Sequence, residues 1–366
     1  MKKIFHLCFT GGPCGGKSTA ITKVFAELTK RGYTVLVVPE SATEIIVSGI
    51  TADIIGNKKF QEVLFEKQIK KEKLYHKVTK CIQNDKIVII YDRGLMDSKC
   101  YMSDEEFKNL LRVYKTNEMK VKSRYDAVFH LVTAANGASK YYTTANNSAR
   151  KEGVEDAIAL DNRCIEVWTG HPHFRVIDNS TDFENKIKRL LKEIYSVVGD
   201  PVPIEIERKF LIKKENINYI AKFCSATVCD IIQFYLINQN GFERRIRSFG
   251  IDGNYSYFYT KKKKNKDEGR IEIERKISQK EYLKYLAEEV DTSISCIKKK
   301  RVCFVYKSEY IEIDLFEFSD DKAIMEIELT SMSQKIELPE FIQIIKEVTD
   351  DDKYSNYNLA KAKKLD

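Results

Sequence analysis

The chain has 366 residues, of which 43% are hydrophobic and 32% charged, with a formal net charge of +8. That length fits two domains, each with its own core, and the composition excludes a disordered chain. The modest basic excess suits anionic ligands or an acidic membrane surface, and no nucleic-acid partner is expected from it. Nine cysteines without a C-x-x-C pair argue against a disulfide framework or zinc site and for reduced thiols in the cytoplasm.

Lys2 and Lys3 precede a short apolar run, Ile4 to Phe9, that enters a glycine loop directly and is too brief for a signal peptide. No stretch approaches the length of a membrane span, so any membrane contact is expected to be peripheral. Gly11 to Ser18 fits G-x-x-x-x-G-K-[ST], and Ile21, Val24, Phe25 and Leu28 follow at helical spacing. A strand, a phosphate-binding loop and a helix are therefore predicted in sequence. Gly11, Gly12, Gly15, Gly16, Lys17, Ser18 and Thr19 are the candidate nucleotide-binding residues, for GTP or ATP. Backbone N–H groups and the helix N-terminus would hold the phosphates, Lys17 would reach the terminal ones, and Ser18 would help hold Mg²⁺, with Mn²⁺ an alternative.

Residues 1–198 alternate short apolar strands with amphipathic helices, which predicts an α/β domain with a mostly parallel sheet. The strands are Ile4 to Thr10, Thr34 to Val38, Lys86 to Tyr91, Ala127 to Thr133 and Phe174 to Ile177. Ligands collect at the carboxyl ends of such strands. There Glu40 places a carboxylate either to accept a hydroxyl proton or to cap the next helix, and Asp92 stands where a metal-holding acid would, followed by Arg93. The polar stretch 137–153 reads as a mobile lid whose cation is Arg150, or as a solvated loop. His171 and His173 lack metal-ligand spacing and read as surface or packing residues.

Gly11 to Thr19, Pro39-Glu40-Ser41, Asp92-Arg93-Gly94 and Gly170-His171-Pro172-His173 together resemble the P-loop domain of nicotinamide-riboside-kinase-type proteins and of the TRPL translocation defect protein family. The resemblance implies a kinase-like fold, with the loop from Asp178 through Asn179 to Thr181 near the base.

Gly199 to Pro203 mark the predicted boundary, after which residues 204–366 read as strands. Eight are expected: Ile204 to Ile212, Ile231 to Ile237, Phe242 to Ser248, Tyr255 to Lys262, Arg270 to Ile277, Arg301 to Tyr306, Tyr310 to Phe316 and Ala323 to Thr330. Glu205, Glu207 and Lys209 alternate with Ile204, Ile206 and Phe210, and the same split recurs at Arg245 and Arg247, Glu272 and Glu274, Glu312 and Asp314, and Glu326 and Glu328. One face is apolar and the other charged. Either the charged face meets water, or the strands close into a barrel with both signs inside.

Glu205 to Lys209 is an E-x-E-x-K motif, repeated at Glu272 to Lys276, and with Arg245-Ile246-Arg247, Thr260 to Lys262, Lys299 to Arg301 and Glu326 to Glu328 it resembles the CYTH, or triphosphate tunnel, family. That resemblance implies an eight-stranded antiparallel tunnel barrel in an α+β domain. It makes Glu205, Glu207, Glu326 and Glu328 candidate metal carboxylates, beside Ser18 and Asp92 in the first domain. Lys209, Arg245, Arg247, Lys262 and Arg301 become candidate phosphate cations. Lys261 to Lys264 with Lys266 form a basic cluster that reads as a solvated hairpin end or as a contact for an acidic membrane. Phe341, Ile344, Ile345 and Val348 predict an amphipathic helix.

A kinase-like P-loop domain joined to a CYTH barrel resembles the translocation defect family along nearly the whole chain. It implies a factor that binds GTP and acidic phospholipid in membrane-protein trafficking. The alternative reading is an enzyme, in which Glu40, Arg93 and Arg150 serve a nucleoside-kinase-like phosphotransfer or the barrel hydrolyses triphosphate with a divalent cation. An adaptor that only senses an organic phosphate is a third.

Overall fold

The computed structural model describes residues 2–138, 153–199, 204–214, 217–264, 270–329 and 334–365. It divides into two compact units, Met1–Leu191 and Lys192–Asp366.

In the first unit β1 (Lys3–Thr10), β2 (Thr34–Val38), β3 (Lys86–Asp92), β4 (Ala127–Leu131) and β5 (Phe174–Ile177) form one sheet in the order β2-β3-β1-β4-β5. Every pairing in it is parallel. The apolar runs are continuous because both faces are covered: Ile87, Val88, Ile89 and Ile90 are each 0% exposed. The helices are α1 (Lys17–Lys30), α2 (Ser41–Val47), α3 (Ala52–Ile55), α4 (Asn57–Val78), α5 (Asp104–Val113), α6 (Glu118–Lys122), α7 (Val154–Trp168) and α8 (Phe183–Val198), the last running past the division at Leu191. Helix α1 buries Ala20, Ile21, Val24 and Leu28, while Phe25 stays exposed.

The second unit contains β6 (Ile204–Glu205), β7 (Glu207–Lys213), α9 (Ile217–Phe223), β8 (Thr227–Gln239), β9 (Phe242–Ile251), β10 (Asn254–Lys264) and β11 (Arg270–Ile277). After these come α10 (Gln279–Glu288), β12 (Ile297–Tyr306), β13 (Glu309–Phe316), β14 (Lys322–Glu328), β15 (Ile344–Glu347) and α11 (Asn356–Ala362). Its antiparallel sheet has ten strands in the order β15-β7-β14-β13-β12-β8-β9-β10-β11-β6. The expected first strand is interrupted at Ile206, so β6 and β7 are consecutive pieces of one stretch. β11 pairs with it at Ile204 and Glu205, and β14 pairs with it from Glu207 to Lys213. The order of pairing thus returns to the stretch from which it started.

The helix predicted around Phe341 to Val348 is not formed. Residues Ile344–Glu347 are instead a strand against β7. The bonding edge of β7 is free there because β11 reaches only residues 204 and 205, and a short strand rich in β-branched residues covers that edge.

The two faces of the sheet separate as the alternation predicts. Phe210, Ile212, Val302, Phe304, Ile311, Ile313, Met325 and Ile327 pack in one apolar cluster. The opposite face carries the charges, and it is buried rather than solvated: Lys209, Arg245, Lys299, Arg301, Glu312, Asp314 and Glu326 are all 8% exposed or less. Beyond the charges that face turns apolar, with Leu211, Tyr235, Ile297, Phe316 and Ile324 packed against Tyr354, Leu359 and Leu365 of the C-terminal segment.

Candidate functional site

Strand β1 delivers the chain to Gly11 at the carboxyl edge of the first sheet. Gly11 has φ +136°, and a Cβ there would lie 2.2 Å from the Leu131 carbonyl oxygen at the end of β4. Gly16 has φ +80°, with a Cβ position 2.6 Å from the Phe183 ring. Only glycine fits both the turn and the space at these two positions. Lys17 opens α1, and its ammonium spans the loop, donating to the Gly11 and Gly12 carbonyls at 3.2 and 3.4 Å. Burial and then Arg93 pull its pKa down. Ser18 and Thr19 are exposed on the first turn.

Asp161 of α7 pins the loop from behind. Its carboxylate accepts the Gly12 N–H at 2.6 Å and the Thr133 N–H at 3.3 Å, with His130 Nε2 3.1 Å away. Burial pushes the Asp161 carboxyl up, but His130 and these N–H groups outweigh it and hold it low. No motif marks Asp161. The available signal was a lone acid on the apolar stripe of Ala157, Cys164, Val167 and Trp168, which is buried with it.

Next to β1, strand β3 ends in Asp92, in register with Phe9. Asp92 Oδ1 is buried without a hydrogen-bond partner. Burial raises its pKa against the pull of Lys17. Arg93 follows in the left-handed region at φ 71°, an uncommon conformation for a residue with a side chain, and such outliers cluster at functional sites. Its Nε donates to Glu40 at 2.6 Å, while Nη1 is buried and unpartnered.

Glu40 does not use its side chain to cap α2. It accepts from Arg93 and, at 2.9 Å, from the Thr43 hydroxyl. Burial pushes its carboxyl up, yet Arg93, Lys17 and Thr43 overcome this and hold it at about 2. A carboxyl made more acidic by folding stabilises the fold above its ordinary pKa of 4.5, and that contribution fades as pH falls toward 2. The stability gap between the wild type and Glu40→Gln is therefore expected to narrow by about 1.4 kcal/mol between roughly pH 7 and pH 3.5. Denaturant unfolding at the two pH values checks this.

Arg150, the expected lid cation, lies outside the described residues. The loop after β5 is occupied structurally: Asn179 Nδ2 donates to the Thr133 carbonyl at 2.8 Å, and its Oδ1 accepts from Lys186 at 2.7 Å. His171 is a packing residue, bonded to the Tyr125 carbonyl at 3.0 Å and pushed by burial down to about 3.

A cavity of about 310 Å³ lies beside Glu40 and Arg93, walled by α2, α4 and the 3-10 segment Leu95–Tyr101. No motif in the sequence marks it. Its signal was three polar residues, Gln61, Gln68 and Glu72, on the buried stripe of α4. Asp97, Cys100 and Cys164 are close enough to hold a metal, but Asp97 already accepts from Thr10, Gly94 and Trp168. Burial also raises the Cys100 thiol.

In the second unit six cations meet six acids on the buried face, among the described residues. Lys209 pairs with Glu207 at 2.9 Å and Glu326 at 3.0 Å. Arg301 holds Asp314 at 2.7 Å and Glu326 at 3.0 Å and also contacts Glu312, while Lys299 contacts Asp314. Arg245 and Lys262 pair with Glu272 at 3.1 and 2.5 Å, and Arg247 with Glu274 at 2.8 Å. The two groups of strands are electrostatically joined, since Arg247 of β9 acts on Glu312 of β13 although two strands separate them in the sheet. Burial raises Glu312, whereas Lys209 and Arg301 overcome burial to hold Glu326 well below the carboxylate range.

All five expected cations, and Glu207 and Glu326 among the acids, thus share this face. Glu328 is exposed at the end of β14, opposite Glu207 in register. Glu205 is placed by its backbone in β6, and its side chain lies outside the described residues. Glu272 and Glu274, to which the resemblance gave no role, join the network. The basic cluster is split by strand alternation: Lys262 turns to Glu272, whereas Lys261 and Lys263 lie 5.1 and 5.3 Å from the Phe242 ring. All nine cysteines are free thiols. No helix among the described residues is long and apolar enough to cross a membrane.

Comparison with solved structures finds the inorganic triphosphatase NE1496, 24% identical, covering 43% of this chain and 94% of that one with a TM-score of 0.31. It also finds the PH1012 protein (17% identical; 35% of this chain and 80% of that one; TM-score 0.27) and the PH1819 protein (22%; 35% and 80%; 0.28), both from Pyrococcus horikoshii OT3. No curated protein matches the chain in sequence. Residues 6–186 match the family model of the AAA domain, a P-loop-like nucleotide-binding domain.

Proposed function

We propose that the first unit binds a nucleoside triphosphate with Mg²⁺ and transfers its terminal phosphoryl group to a hydroxyl in the adjoining cavity. The observation that carries this reading is a pair of buried, unpartnered polar atoms, Asp92 Oδ1 and Arg93 Nη1, at the strand ends beside the phosphate loop. An unsatisfied buried polar group costs roughly 1–3 kcal/mol, so a ligand that pairs with both is favoured. Oxygen donors of Ser18 and Asp92 fit Mg²⁺, which when bound neutralises charge developing between the phosphates.

The loop N–H groups and Lys17 then hold the triphosphate, and Arg93 offers its free N–H to the migrating group. Glu40, ionised throughout the neutral range, accepts the hydrogen bond of the acceptor hydroxyl and orients its oxygen. As the new oxygen–phosphorus bond forms, the bond to the leaving diphosphate breaks and the hydroxyl proton passes to Glu40. Such a weak base suffices because phosphoryl transfer is loose, with little bond formation to drive.

The second unit, in this reading, is a receptor for a linear polyphosphate with a divalent cation. Such a ligand satisfies both signs at once, the cations turning to phosphate oxygens and Glu207, Glu312 and Glu326 to the metal. The return of the strand pairing to residues 204–213 supports a closed tunnel around that face. The family resemblance adds GTP as nucleotide and acidic phospholipid as partner. The enzyme reading is preferred because the cavity beside Glu40 and Arg93 gives room for an acceptor.

The test is label transfer from γ-labelled ATP or GTP in Mg²⁺, with wild type, Lys17→Ala and Glu207→Ala. Transfer or hydrolysis lost only in Lys17→Ala places turnover in the first unit. Loss only in Glu207→Ala, with tripolyphosphate cleaved by the other two, places it in the second and overturns the phosphotransfer reading.

A further inference from the structure

We propose that Cys100 and Cys164 form a reversible redox pair, closing to a disulfide when a hydroperoxide reaches the first unit, and that this bond clamps the 3-10 wall of the cavity. The bond itself does not depend on the phosphotransfer reading. Its effect on turnover rests on that reading.

The two sulfurs are 3.2 Å apart, although 64 positions separate the residues in the chain. A disulfide is about 2.05 Å long, so closing it takes an approach of roughly 1.2 Å. The backbone on either side is already tied together. Asp97 accepts the Gly94 N–H of the 3-10 segment at 2.7 Å and the Trp168 indole N–H of α7 at 3.0 Å. Gly94 leaves no slack between the two elements, since a Cβ there would lie 2.7 Å from the Trp168 ring. The contact between the thiols is therefore built into the packing.

Access sets their order of reaction. Cys100 is half-buried, whereas Cys164 is 0% exposed. A small peroxide meets Cys100 first, and Cys164 stands in contact to resolve the product. Hydrogen peroxide gives one oxygen to Cys100 Sγ as its O–O bond breaks, yielding the sulfenic acid and one water. Cys164 Sγ then attacks that sulfur: the S–S bond forms, the S–O bond breaks, and the departing hydroxide takes the Cys164 proton to leave as a second water. Two thiols lose two electrons, and one peroxide gains them. Burial raises the Cys100 thiol, which keeps it protonated and makes this oxidation slow. Cys229 and Cys303 of the second unit also share a hydrogen bond, but both are 0% exposed and offer a peroxide no entry.

The position of the bond gives it a consequence. Cys100 lies in the 3-10 segment whose Leu95, Asp97, Ser98 and Tyr101 line the cavity. Cys164 is about one turn along α7 from Asp161, which holds the Gly12 N–H. One covalent bond thus joins the cavity wall to the helix that pins the phosphate loop. Fixing that wall slows entry and release at the cavity, while the loop, held as before, keeps its grip on phosphate.

The experiment treats the full chain with hydrogen peroxide and then with dithiothreitol, in wild type, Cys100→Ser and Cys164→Ala. Cross-links are mapped by mass spectrometry of unreduced peptides, and Tm, Mg²⁺-ATP affinity and phosphoryl transfer are measured in each redox state. A Cys100–Cys164 cross-link is expected in the wild type, with a higher Tm than the reduced form and full reversal by dithiothreitol. Transfer should fall by roughly tenfold or more in the oxidised wild type, with Kd for Mg²⁺-ATP unchanged. Neither variant should form the cross-link or lose transfer on oxidation. The map of the wild type decides the pairing even where a variant melts low.

A cross-link between any other two cysteines, or oxidation of Cys100 to the sulfinic acid with no cross-link, overturns the pair. A Cys100–Cys164 bond that leaves transfer unchanged overturns the clamp. The bond formed in a protein that shows no transfer in either redox state supports the pair and overturns phosphotransfer.

Discussion

Arg301→Ala is expected to destabilise the second unit by about 3–5 kcal/mol, the cost typical of removing one partner from a buried ion network. Arg301 is the cation shared by Asp314, Glu312 and Glu326. Without it Asp314 retains Lys299, and Glu326 retains Lys209. Glu312, already raised by burial, loses the main charge that opposes that rise. Arg301→Lys keeps the charge but not the fork that reaches several carboxylates together, so its effect should be smaller. Denaturant unfolding of the three proteins checks the order. A loss below 1 kcal/mol in Arg301→Ala would mean that the network is solvated rather than buried.

Lys17→Ala should weaken triphosphate binding on the order of 100-fold, about 2.7 kcal/mol. Ligand-free stability should not fall with it. Lys17 is pulled down first by burial and then by Arg93, so in the absence of phosphate it is a desolvated charge beside a like one. The variant's Tm is expected to equal or exceed that of the wild type. Calorimetry with Mg²⁺-ATP and Mg²⁺-GTP, together with a melting curve, reads both effects and identifies the preferred base.

What the sequence made legible follows from how local each signal is. The phosphate loop is eight contiguous residues, so its strand and helix could be placed from the pattern alone. The two-faced strands of the second unit repeat with period two and were visible in the same way. The inward direction of the charged face was not, because alternation states which residues share a face and not which face is covered. Residues that reach the site across the fold were also hidden. Asp161 lies 149 positions from the Gly12 N–H it holds, and Gln61 and Gln68 share the buried stripe of their helix with Phe60, Phe65 and Glu72, in no motif that marks them. The segment from Phe341 was misread because four apolar residues suit a helix period and a short edge strand about equally, and the free edge of β7 decides between them only in three dimensions.

On the proposed reading this chain carries two separable receptors for polyphosphate, one made of main-chain amides and one of ion-paired side chains. It is tested most directly by titrating tripolyphosphate with Mg²⁺ into Lys17→Ala and into Lys17→Ala/Arg247→Ala, each confirmed as folded by circular dichroism. One bound polyphosphate per chain in the first protein and none in the second is the predicted result. No binding to Lys17→Ala, or equal binding to both, would contradict it.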